Sequence, residues 1–96
     1  MSLYFVRHYH NAETCPAKDP AAGNMLLEHL NPMNARKYGV KIGADAVLDG
    51  QHTFVLILEA DDQAKIDNFM LPFKQAGPVE ITPASLCETV VERAGC

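Results

Sequence analysis

The chain has 96 residues, 48% of them apolar and 21% charged, with a formal charge of −4. That composition supports a packed core and excludes a disordered segment. Eight Lys and Arg are scattered among twelve Asp and Glu, which excludes the basic patch that a nucleic-acid or anionic-membrane partner requires.

A chain of this length is expected to form one domain over residues 1–96, with a core at 3–82 and a tail helix within 83–96. Such a core is small, and pairing with a second copy would bury more apolar surface. The start, Met1-Ser2-Leu3-Tyr4-Phe5-Val6, lacks the charged and long apolar regions of a signal peptide. No apolar run approaches the roughly 20 residues of a membrane span. Cys15, Cys87 and Cys96 are odd in number and irregular in spacing, unlike a disulfide framework. A reduced, cytoplasmic protein is expected.

Residues 3–10 alternate with a period of two. Tyr4, Val6, His8 and His10 share one face, and Leu3, Phe5, Arg7 and Tyr9 the other. Apolar residues on both faces predict a central strand covered on both sides. Residues 11–18 are polar and contain Pro16, so a loop follows. Asp19-Pro20 predicts a helix start, with Asp as N-cap and Pro in the first turn. Asn31-Pro32 interrupts that helix and caps a shorter one, which Gly39 ends.

Val40, Ile42, Ala44, Ala46 and Leu48 alternate against Lys41, Gly43, Asp45 and Val47 as a second strand. Asp49-Gly50 signals a two-residue type I′ hairpin. The return strand, His52 to Glu59, is the most apolar and should be central. Asp61-Asp62 caps a helix whose stripe is Ile66, Phe69, Met70 and Phe73, with Pro72 disturbing its end. After Gly77-Pro78, Val79 to Thr82 is a short last strand. Ser85-x-x-Glu88 has the form of a capping box, predicting a helix over 86–93, with Thr89-Val90-Val91 leaving an extra strand open.

The order β-α-β-β-α-β predicts an α+β, ferredoxin-like fold. Right-handed crossovers give a four-stranded antiparallel sheet in the order 4-1-3-2. Residues i and i+2 of a strand lie roughly 6 to 7 Å apart on one face, so His8 and His10 can aim at one ion or ligand. His52, at the start of the antiparallel third strand, and Cys15, in the loop leaving the first, belong to the same end of the sheet. His8, His10, His52 and Cys15 together would suit Zn, Cu or Ni, although their spacing matches no zinc-finger pattern and half-exposed histidines at a strand end need no ligand.

Cys87, near a helix start, can have an activated thiol, but its place in the sheet order sets it apart from His8 and a buried hydrophobic role suits it better. Cys96 is expected to be frayed and exposed. His29 belongs at a core edge, and Met25, Met33 and Met70 are core material. Arg7 on a central strand needs a carboxylate such as Asp45 or Glu59. There is no G-x-G-x-x-G, P-loop, G-x-S-x-G or C-x-x-C.

The size, the element order and the ending Phe73…Gly77-Pro78-Val79-Glu80-Ile81 resemble the dimeric α+β-barrel superfamily. That group includes small monooxygenases of the antibiotic-biosynthesis type, muconolactone isomerase-like proteins, stress-responsive barrel proteins and many bacterial domains. The resemblance implies a bacterial homodimer with sheets paired face to face and a small-molecule cleft between sheet and helices; it carries no residue role over. The expected function is small-ligand or transition-metal binding at the His8/His10 end of the sheet. One alternative is a cofactor-independent oxygenase or isomerase for a small aromatic or anionic substrate. There His8 or His10 is the general base, while Tyr4, Arg7 and Tyr9 orient the substrate. A structural interaction module is the other.

Overall fold

The computed structural model describes the backbone of residues 1–96 and every side chain except that of Thr14. β1 (Ser2–Tyr9) leads through two 3-10 turns, Ala12–Thr14 and Pro16–Lys18, into α1 (Pro20–His29) and α2 (Pro32–Lys37). β2 (Lys41–Leu48), β3 (Thr53–Ala60), α3 (Gln63–Lys74), β4 (Val79–Ala84) and α4 (Cys87–Glu92) complete the chain. The sheet order is β2-β3-β1-β4, and all three pairings are antiparallel. This is the ferredoxin-like α+β layout that the element order predicts.

The helix starts follow from their caps. The Ala21 amide donates to Asp19 Oδ1 at 3.0 Å and the Met33 amide to Asn31 Oδ1 at 2.9 Å. The Lys65 amide donates to Asp62 Oδ1 at 3.1 Å. Each bond satisfies an amide that the first helical turn leaves free. The last helix departs from this pattern: α4 has Leu86 as N-cap and no side-chain cap. Ser85 Oγ instead accepts from Arg93 Nη1 at 3.2 Å, so the capping box does not form. Residues 87–92 are nevertheless helix, not an extra strand.

The core lies between the helices and one face of the sheet. Val6, Leu56 and Leu58 meet Ile66, Phe69 and Met70 there, all essentially without exposure. Each such side chain contributes about 1.5–3 kcal/mol by leaving water. The α3 stripe is as the sequence predicts, with Ile66, Phe69, Met70 and Phe73 all buried. Met25 and Met33, by contrast, are 71% and 74% exposed. α1 settles loosely enough to leave Met25 in solvent contact, and none of its described residues is fully buried.

Three further expectations are corrected. β1 is central, between β3 and β4, but the Leu3, Phe5, Arg7, Tyr9 face carries neither crossover helix; both crossovers place their helices on the other side. Phe5 is half-buried and Ile57 is 41% exposed on that open face. The alternation of β2 also changes phase, because a register shift between Ile42 and Ala44 puts Val47 opposite Phe54 on the helix side. Gly43 sits at the shift, where a Cβ would come within 3.3 Å of the Ile57 carbonyl oxygen.

The third concerns the β2–β3 connection, which is longer than two residues. The Gln51 amide bonds the Leu48 carbonyl at 3.1 Å. Gly50 has φ +74° while Asp49 stays at negative φ, the pattern of a type II turn and not type I′. His52 therefore ends the connection instead of starting β3. β4 runs on to Ala84 and includes Pro83, which an edge strand tolerates.

Candidate metal centre

β1 ends at Tyr9, and one further ladder bond, from the His10 amide to the His52 carbonyl at 3.1 Å, joins the chain ends that carry the two histidines. The first 3-10 turn brings Cys15 back over the same end. His52 reaches its place at φ 48°, a left-handed conformation that disfavours a side chain bearing Cβ by about 1–2 kcal/mol. Strain of this kind persists where surrounding contacts over-determine it, and it concentrates at functional sites.

His10, Cys15 and His52 are the trio brought together. One ligand atom from each lies within 4.8 Å of the other two, and all three residues are half-buried. The His10 and His52 rings meet edge-on, with centroids 5.3 Å apart. Both ring nitrogens of His10 are buried and without a hydrogen-bond partner. A neutral imidazole in that state leaves a donor and an acceptor unsatisfied, each costing about 1–3 kcal/mol. Two imidazoles and a thiol thus form a group able to hold a metal ion. A tetrahedral centre draws such donors to within roughly 3.3–3.8 Å of one another, so side-chain motion of about 1 Å closes the site.

His8 lies beside the trio without belonging to it. It is on the same face of β1, its centroid 5.6 Å from that of His10 and 5.5 Å from Phe73. It is only 2% exposed, and its Nε2 has no partner. Burial lowers the His8 pKa below the ordinary histidine value; a backbone hydrogen bond at Phe73 opposes this and nearby His10 adds to it. His10 is lowered by burial first and by His52 second. Both shifts favour the neutral imidazole, the form that ligates metals.

A cavity of about 230 Å³ opens at the trio, with His8, Pro16, Leu26, Val47, Phe54 and Phe73 among its lining residues. These apolar positions are not distinguishable in the sequence from ordinary core. Val47 reaches the cavity only because of the β-bulge, and Leu26 and Phe73 read as helix stripes. The remaining site candidates lie elsewhere. Tyr4 is buried in the core. Arg7 is exposed on the open face, where Nη1 donates to the Tyr9 hydroxyl at 3.3 Å and the guanidinium lies 5.5 Å from the Phe5 ring centroid. Its strand neighbours are Val55 and Glu80, so neither Asp45 nor Glu59 stands opposite it. Its charge is met by Tyr9, Phe5 and, at longer range, Glu80.

Cys87 and Cys96 are exposed free thiols; for Cys87 this replaces the buried role, because α4 has no buried residue. His29 is structural: Nε2 meets the Phe69 carbonyl oxygen at 2.7 Å and its ring stacks on Phe69 at 4.6 Å. Among the described residues, no helix is long and apolar enough to cross a membrane. No curated protein matches the chain. A family model does match, over residues 5–95, and it takes in most of β1, the trio and α4. The chain belongs to the family described as a domain of unknown function, DUF3303.

Proposed function

We propose that this protein binds a transition-metal ion through His10, Cys15 and His52. The observation that carries the reading is the convergence of three ligand atoms within 4.8 Å around a His10 ring whose nitrogens are buried and unpartnered. Two nitrogens and one thiolate, with no carboxylate in the group, suit Zn, Cu or Ni over Mg or Ca. Three protein ligands leave a coordination position free, as in catalytic and not structural zinc sites. Three unpaired cysteines are in keeping with a reducing, cytoplasmic location.

The test is elemental analysis of the purified protein together with Co²⁺ titration followed by its visible absorption. One equivalent of metal, lost in Cys15→Ala and in His10→Ala, is the expected result. Full metal retention in both variants refutes the assignment.

The assembly belongs to the same reading. Leu3, Phe5, Val55 and Ile57 form an apolar stripe on the sheet face away from α1 and α3, and apolar surface of that kind favours association. A homodimer with the two open faces together, the dimeric α+β-barrel arrangement, covers it and leaves the metal centre on the opposite, helix-covered face of each subunit.

A further inference from the structure

A second cavity, of about 290 Å³, lies between α1 and the end of α3. Beyond the wall it shares with the cavity at the trio (His8, Pro16, Leu26 and Phe73), it is lined by Ala22 and Ala76, with Met25 and Pro72 exposed at its rim. The two chambers thus adjoin along one wall. They exist because α1 does not seal onto the sheet: none of its described residues is fully buried, and Leu26, its inward leucine, is only half-buried. No charged side chain lines the inner chamber. His29 lines it too, but its Nε2 is already engaged by the Phe69 carbonyl. The single polar group in the shared wall is His8, 2% exposed, with Nε2 unpartnered.

These features point to a ligand with two unlike ends. A free metal coordination position demands a small anionic or neutral donor head. The apolar chambers beyond it accept hydrocarbon and reject charge, because an unpaired charge is costly away from water. His8 lines both chambers and is the polar residue of the wall between them. We propose that the occupant is a small amphiphile, with a metal-coordinating head at the His10–Cys15–His52 centre and an unbranched apolar tail running past Leu26 and Phe73 into the inner chamber. Each chamber is below the usual volume of a drug-sized site, about 300–1,000 Å³, so the tail is short and narrow.

This inference rests on the metal-binding reading, and one experiment separates the two. Co²⁺-loaded protein is titrated with acetohydroxamic, butanohydroxamic and hexanohydroxamic acids, and the change in visible absorption gives each dissociation constant. Burial of one methylene tightens binding by about fourfold, so the six-carbon probe should bind on the order of a hundredfold more tightly than the two-carbon probe. In Ala22→Phe, whose ring fills the inner chamber, the ratio between six- and four-carbon probes should collapse towards one; Ala76→Leu serves if that variant does not fold. Co²⁺ binding without any dependence on chain length overturns the amphiphile proposal and leaves the metal centre standing. An unchanged ratio in the filled variant overturns the inner-chamber route. Failure to bind Co²⁺ overturns both readings.

Discussion

Gly77 offers the sharpest test of how the fold holds the site. It joins α3 to β4 at φ 157°, and a Cβ built there falls inside the van der Waals sphere of the Tyr9 carbonyl oxygen and 2.9 Å from its carbon. The next atom it meets, at 3.4 Å, is the Cα of His10. These are backbone atoms, so no side chain can rotate away, and Gly77→Ala must push the Gly77-Pro78 connection off the end of β1. That movement breaks the bond from the Tyr9 amide to the Pro78 carbonyl, now 3.1 Å. A lost hydrogen bond of about 0.5–1.5 kcal/mol and backbone strain of about 1–3 kcal/mol give a destabilisation of roughly 2–4 kcal/mol. At about 4–8 °C per kcal/mol for a domain of this size, the melting temperature should fall by roughly 8–32 °C. Thermal unfolding followed by far-ultraviolet circular dichroism reads it directly. Gly50→Ala is the control: φ is +74° but nothing lies within 4 Å of its Cβ, so only the left-handed conformation is penalised, by about 1–2 kcal/mol. A Gly77→Ala protein that melts within about 3 °C of wild type, or no lower than Gly50→Ala, refutes the reasoning.

Other outcomes follow from the same structure. At position 52, replacing His52 by Gly should yield a protein about 1 kcal/mol more stable than replacing it by Ala, because both lose the imidazole but only Ala keeps the left-handed strain; equal urea midpoints would mean the φ of 48° is not strained. In metal-free protein, His8 and His10 have folded-state pKa values below the ordinary 6.5, so the unfolded chain takes up protons first. Stability should be level above about pH 6.5 and decline as the pH drops from there towards the lowered folded-state values. His8→Phe with His10→Phe should flatten that decline, and an unaltered profile by urea titration at several pH values counts against the shifts. On the open face, Ile57→Lys introduces a charge where the subunits would meet and should convert a dimer to monomer in sedimentation velocity without unfolding it. A monomeric wild-type protein at micromolar concentration removes the assembly proposal.

The β-α-β-β-α-β order was legible because each element carried a local signal: Asp19, Asn31 and Asp62 cap helices as their residue types suggest, and the α3 stripe keeps its period over its whole length. The convergence of His10, Cys15 and His52 was legible in outline, since antiparallel pairing alone brings those chain ends together. What escaped was set by non-local geometry. The bulge at Gly43 reverses the faces of β2, and one residue of phase moves Val47 from the open face into the cavity. The turn before β3 depends on which residue takes positive φ, and Asp49-Gly50 is compatible with either type. Exposure of Met25, Met33 and Cys87 depends on how tightly α1, α2 and α4 settle, which hydrophobic pattern does not encode. The separation of His8, packed edge-on against Phe73, from the trio is likewise not written in the strand alternation.

The two edges of the sheet give the molecule a polarity of growth. On one flank β4 contains Pro83, which has no amide hydrogen to offer an incoming strand, and on the other β2 is broken by the irregularity at Gly43. Both are devices that stop a sheet from templating another chain's backbone. Fibril-like stacking is discouraged along the in-plane direction, so contact between copies is channelled perpendicular to the sheet, where side chains and not ladder bonds decide whether two surfaces match.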